Sequence, residues 1–195
     1  MTTYLLLPGS DGDVRVWERV VARLQANGCE AICVSLAGLQ GERIVPGLAT
    51  QVALVQARVG RAPETTIPVG YSYSGLVASE VARHNPGLPA LIYVDAIVPQ
   101  IGRTPADLAR ELSTGVLDLL GGVGQLPGAG SPAMPVTFIT CTGRPPKAAY
   151  SALDRSAEAA RTLGWTIRTM PTGHHPMTED PETLTTLLLE AGSAR

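Results

Sequence analysis

Ser72 stands where a serine hydroxyl could become a nucleophile. Around it the chain reads Pro68-Val69-Gly70-Tyr71-Ser72-Tyr73-Ser74-Gly75. A β-branched, apolar run (Thr65, Thr66, Ile67, Val69) leads in and reads as a strand. A helical pattern (Leu76, Val77, Ser79, Glu80, Val81, Ala82) leads out. The serine is therefore the centre of a small-x-Ser-x-small turn between strand and helix. In so tight a turn, larger side chains two residues before and after the serine would strike neighbouring backbone. Gly70 and Ser74 are small enough, and Gly75 relaxes the start of the helix. The turn lifts the Ser72 hydroxyl clear of the sheet and aims a helix N-terminus at it. The plainer reading is a Gly/Ser-rich connection whose serine only caps a helix. Ser74 then serves as the small residue of the turn rather than as a second nucleophile.

A serine hydroxyl is a poor nucleophile near neutral pH. It needs an imidazole to take its proton, and a carboxylate to hold that imidazole in the right tautomer. Asp95 ends the strand after the serine turn, and His174 lies in the loop after the last strand. An aspartate at a strand end can also simply cap the next turn. Asp154 is the reserve acid, although it falls inside an expected helix, and His175 is the competing base. The developing oxyanion needs N–H donors as well. The backbone N–H of Tyr73 would be one, and that of Ser10, next to Pro8-Gly9 after the first strand, the other. Asp11 shares that loop, and its charge would oppose an oxyanion unless it points to solvent.

These residues must be positioned by regular elements, and the pattern supplies them. Strands are expected near residues 3–7, 30–35, 65–70, 90–95, 135–141 and 165–170. Most are short apolar runs, which suits strands buried on both faces. Helices are expected over Val14–Ala26, Leu48–Val59, from the serine turn to about His84, over Lys147–Leu163 and over Pro181–Ala191. Asn27-Gly28 is a helix stop, and Asp180 before Pro181 is a good N-cap. Strands alternating with helices predict an α/β fold: a doubly wound, mostly parallel sheet of about six strands with helices on both faces. Sites in such sheets form at the carboxyl ends of strands. Ser72, Asp95 and His174 all follow strands there.

Composition narrows the function. With 195 residues and 45% hydrophobic content, the chain suits one domain with an ample core. A net charge of −2 makes no electrostatic case for nucleic acid or an anionic membrane. Lys147 is the only lysine. The three cysteines, Cys29, Cys33 and Cys141, lack metal-ligand spacing, and buried thiols are expected at Cys33 and Cys141, which lie in apolar strand-like runs. Leu5-Leu6-Leu7 is stopped by Pro8-Gly9, so neither a signal peptide nor a membrane span is expected, and a cytoplasmic location follows. Gly9-Ser10-Asp11-Gly12 is not a dinucleotide-binding G-x-G-x-x-G, and its aspartate would repel a pyrophosphate.

Together these stretches resemble the α/β-hydrolase superfamily, and within it the small esterase group of plant methylesterases, hydroxynitrile lyases and bacterial relatives. Leu5-Leu6-Leu7-Pro8-Gly9 with Trp17-Glu18-Arg19-Val20 is similar to that group's first strand, His-Gly loop and helix. Gly70-Tyr71-Ser72-Tyr73-Ser74-Gly75 resembles its Gly-His-Ser-Tyr-Gly-Gly elbow. Leu91-Ile92-Tyr93-Val94-Asp95-Ala96 and Thr172-Gly173-His174-His175-Pro176-Met177 resemble its later strand end and histidine loop. The order Ser72, Asp95, His174 is also the superfamily's order.

The chain departs from the pattern in places. Pro8 and Tyr71 replace two histidines that are not triad members. The family often places its acid after the strand equivalent to 135–141, but here that loop reads Thr142-Gly143-Arg144-Pro145-Pro146, without a carboxylate. Asp95 is therefore the better candidate. The family inserts a helical cap after the Asp95 strand, and residues 102–135 leave room for only a reduced one. Hydroxynitrile lyases rely on a lysine near the acid loop, and Lys147 matches no such motif. The resemblance implies a single α/β-hydrolase domain over 1–195. It implies a serine esterase or thioesterase that forms an acyl-Ser72 intermediate on a small-molecule substrate, free or carrier-bound. No metal or organic cofactor is implied. A lyase or cyclase of polyketide-like metabolism on the same site, or a non-catalytic binding protein, are the alternatives.

Overall fold

The structure, a computed structural model, describes residues 1–36, 47–60, 62–99, 133–146 and 150–193. The expected cap at 102–135 lies almost wholly outside the described residues, as does Lys147. The strands are β1 (Thr3–Leu7), β2 (Glu30–Cys33), β3 (Thr66–Tyr71), β4 (Leu91–Val94), β5 (Val136–Cys141) and β6 (Thr166–Met170). They form one sheet in the order β2-β1-β3-β4-β5-β6, and every pairing is parallel. The six expected strands are thus all present, with ends shifted by a residue or two.

The described helices are α1 (Glu18–Ala26), α2 (Leu48–Val59), α3 (Gly75–His84), α4 (Ser151–Thr162), α5 (Pro176–Glu179) and α6 (Pro181–Ser193). The continuous helix expected over Val14–Ala26 is instead a 3₁₀ turn, Val14–Trp17, followed by α1. Asp13 causes this start. Its carboxylate accepts the Arg15 N–H at 3.0 Å and tightens the first turn. Gly28, at φ 75, ends the α1 segment as expected. The short α5, which follows His174-His175, was not expected from the pattern. Asp180 does cap α6, accepting the Thr183 N–H at 3.0 Å.

Side chains alternate across the parallel strands, so successive residues enter different cores. Leu5, Leu7, Leu91, Tyr93 and Phe138 pack with α2, α3 and α4 on one face. Tyr4, Leu6, Val69, Ile92 and Ile139 pack with α1 and α6 on the other, around the fully buried Trp17. Burying each large apolar side chain contributes roughly 1.5–3 kcal/mol. All residues of β3 and β5 are buried, which is why they read as continuous apolar runs. The chain leaves β1 in one direction to β2 and later runs the other way from β3. The reversal opens a crevice at the carboxyl ends of β1 and β3. The Ser10 loop and Ser72 border that crevice.

Candidate active site

Ser72 follows β3 directly and adopts φ 53, a left-handed conformation that costs a non-glycine residue of order 1–3 kcal/mol. The surrounding contacts hold it there. Gly70 has no Cβ, and one built there would lie 2.9 Å from the Ala78 Cβ and from the Gly75 Cα. The missing side chain lets α3 pack directly on β3. Gly75 has ordinary helical geometry, with φ −55. Its role is therefore not the relaxed helix start that the sequence suggests. A Cβ at Gly75 would collide with the Ile97 carbonyl, so glycine is needed for the close approach of the chain leaving β4. Ser74 is fully buried. Its Oγ accepts the Tyr71 N–H at 2.9 Å and lies within donating distance of the Leu7 and Tyr71 carbonyls, at 3.2 and 2.9 Å. It is the small residue of the turn and also ties the ends of β1 and β3 together.

The three expected side chains come together. His174 Nδ1 donates to Asp95 Oδ2 at 2.6 Å. With that nitrogen protonated, Nε2 is left to accept the Ser72 hydroxyl at 2.9 Å. Asp95 is completely buried and, like Ser72, has a positive φ, of 42. Its other oxygen, Oδ1, accepts the Cys141 N–H at 3.2 Å, so β5 fixes the carboxylate's rotation. The reserve acid Asp154 lies elsewhere. It sits on α4, largely exposed, with Oδ1 2.7 Å from Arg144 Nη2.

His175 is not at the serine. Its Nδ1 shares a 2.9 Å hydrogen bond with the Tyr71 hydroxyl. The Tyr71 ring in turn lies 5.0 Å from the His174 ring and meets Trp17 edge-on at 6.1 Å. Burial, together with the charges of Asp11 and Asp95, pushes the Tyr71 phenol well above its ordinary range, so it stays a neutral donor. The Tyr73 side chain is core, buried with the α2 and α3 residues.

The two expected N–H donors flank the crevice. Tyr73 follows Ser72 at the start of the turn into α3. Ser10 lies exposed in the turn closed by Gly12 N–H to Gly9 O at 3.1 Å. Asp11 is exposed, and its Oδ1 accepts the Asp13 N–H at 3.3 Å, so part of its charge is spent within its own loop.

The loops bearing the histidine and following β5 are bound together. Thr142 N–H donates to Met170 O at 2.8 Å, and Gly143 N–H to Thr172 O at 2.9 Å. A Cβ at Gly143 would meet that Thr172 oxygen at 2.9 Å, so only glycine allows the contact. Glu179 accepts the Gly173 N–H at 2.8 Å and pins the histidine loop to α5.

The site has one participant that the residue pattern did not single out. Arg144 Nε lies 3.2 Å from Asp95 Oδ2, with the side chain only 8% exposed. The signal was a cation in a loop where an acid was sought. Among the described residues, no group of three His, Cys, Asp or Glu side chains could hold a metal ion. Likewise, no described helix is long and apolar enough to cross a membrane.

A family model described as "Alpha/beta hydrolase family" matches residues 4–128. No curated protein matches the chain. Among solved structures, a pyrethroid hydrolase from Sphingobium faniae JZ-2 is similar with a TM-score of 0.74 at 19% identity, over 99% of this chain and 98% of that one. The Arabidopsis methylesterase MES16 gives a TM-score of 0.73 at 15% identity, over 99% of both chains. Tomato methylketone synthase I gives 0.72 at 14% identity, over 97% of this chain and 96% of that one. At these identities the likeness is one of fold.

Proposed function

The chain belongs to the alpha/beta hydrolase family, and from that premise we propose that it is a serine hydrolase of small carboxylic esters or thioesters. The observation that carries the proposal is the unbroken hydrogen-bonded line from Ser72 Oγ through His174 to the buried Asp95.

In this reading, Ser72 Oγ attacks the acyl carbon as its proton passes to His174 Nε2. The carbonyl electrons move onto oxygen, which the backbone N–H groups of Tyr73 and Ser10 receive. The imidazolium is held by Asp95 and returns the proton to the departing alcohol or thiol. Water then attacks the acyl-Ser72 ester, giving its proton to His174. Collapse of the second tetrahedral intermediate releases the acid and restores the serine hydroxyl. The positive φ of Ser72 and its bond to His174 support this reading, since a hydroxyl already oriented toward its base lowers the entropy cost of attack.

The test is intact mass after exposure to a fluorophosphonate, with wild type and Ser72→Ala in parallel. A single adduct on wild type and none on the variant is expected. Folded wild type that takes up no adduct overturns the proposal.

A further inference from the structure

Asp95 has no solvent exposure, so its charge must be met inside the protein. A neutral His174 supplies one hydrogen bond but no net charge. Arg144 supplies the charge. Its single Nε–H donates to the Cys141 carbonyl at 2.9 Å. The 3.2 Å approach of Nε to Asp95 Oδ2 is therefore a contact of charge, and the oxygen stays available to His174. Nη2 bonds Asp154 at 2.7 Å, Nη1 is buried with no hydrogen-bond partner among the described residues, and the guanidinium carbon sits 5.5 Å from the centre of the Tyr150 ring. A cation so tightly enclosed has little freedom to leave the carboxylate.

Resting on the proposed hydrolase reading, we propose that Arg144 is a positioning residue for the Asp95–His174 pair, which anchors the carboxylate and keeps His174 a neutral base at lower pH than Asp95 alone would allow. The argument is electrostatic. Asp95 favours the imidazolium, and a fixed cation on the same oxygen offsets that preference. Asp154, on the far side of the guanidinium, partly offsets the cation in its turn.

The other groups facing His174 do not supply this effect. Tyr71 from β3 and Tyr150 ahead of α4 approach its ring at 5.0 and 5.5 Å. Burial keeps Tyr71 a neutral phenol and pushes the Cys141 thiol on β5 up to about 12, so both are neutral between pH 5 and 9. The His175 ring, 5.5 Å from His174, is the one other imidazole beside it among the described residues. Glu179 on α5 holds Gly173 N–H, and Asp11 in the loop after β1 lies beyond Tyr71.

The experiment follows the rate of fluorophosphonate labelling from pH 5 to 9 in wild type, Arg144→Gln, Arg144→Lys and Asp154→Asn, with His175→Gln as a control for the second imidazole. The acid limb for Arg144→Gln is expected to move to higher pH by about one unit. Arg144→Lys should restore part of that shift, and Asp154→Asn should move the limb slightly to lower pH. A uniform loss of rate in Arg144→Gln with the limb in place would overturn the inference. If Arg144→Gln does not fold, Asp154→Asn decides, and an unmoved or upward limb overturns it. Wild type that fails to label would instead sink the hydrolase reading. The His174 ring titration followed by NMR, expected to move in the same directions, would still test Arg144.

Discussion

The backbone N–H of Ile97 donates to the carbonyl oxygen of Ser72 at 2.9 Å. The chain that leaves Asp95 therefore braces the turn that carries Ser72. Two positive-φ residues, Ser72 at 53 and Asp95 at 42, are locked by one short segment. Strain at both survives because neither can relax without breaking contacts of the other.

Gly75 makes that bracing possible, so Gly75→Ala should damage both stability and chemistry. The added methyl meets the Ile97 carbonyl and the Ala96 Cβ. Overpacking of this kind costs about 1–3 kcal/mol. Urea unfolding should show a lower midpoint, and fluorophosphonate labelling of the folded fraction should slow. An unchanged midpoint would mean that the segment moves aside freely.

The two candidate acids separate cleanly by substitution. Asp95→Asn should keep the fold and lose about 10⁴-fold in ester turnover, because the amide no longer enforces the His174 tautomer. Asp154→Asn should stay within a few-fold of wild type on the pH plateau. Turnover of p-nitrophenyl acetate by the two variants reads the difference, and a larger loss in Asp154→Asn would reverse the assignment.

The two histidines separate in the same way. His174→Ala removes the only imidazole that reaches Ser72 among the described residues and should abolish labelling. His175→Ala removes a partner of Tyr71 and should cost about 1 kcal/mol in stability while labelling continues. Thermal unfolding and labelling, measured on both, check the pair. Labelling lost in both would indicate that the Tyr71 contact holds the whole loop.

Alkaline pH should weaken the fold by drawing protons from buried thiols and a buried phenol. Burial pushes Cys33 to about 11, and Cys141 and Tyr4 to about 12. Each group holds its proton more tightly folded than unfolded. The stability they contribute is fully present below their unfolded values, near 9 for the thiols, and is lost as pH rises through the folded ones. Urea midpoints measured at pH 7, 9 and 10.5 should be level to about 9 and then fall, and Cys141→Ala should flatten part of that fall. A midpoint that rises above pH 9 would contradict the burial of these groups.

Much of this protein is local and therefore legible. Hydrophobic runs, helix periods and turn residues act over a few neighbours. They place the six strands, the serine turn after β3, Asp95 after β4 and His174 after β6. The order of those residues along the chain already implied one site at the carboxyl ends of a parallel sheet. Contacts between loops distant in sequence are another matter. Asp95 rather than Asp154 meets His174 because β4 and β5 lie in register and α4 carries Asp154 outward. Gly75 is required by the path of Ile97, not by its own helix, and no pattern around Gly75 says so. Arg144 reads in sequence only as a missing carboxylate. It becomes the counter-charge of Asp95 once Gly143 lets its loop lie against the histidine loop. A local pattern chose the residues to which the chemistry is assigned in the proposal, because propensity and periodicity are properties of neighbours. Tertiary structure chose the residues that hold and tune them, because the field of a buried charge acts through space and not along the chain.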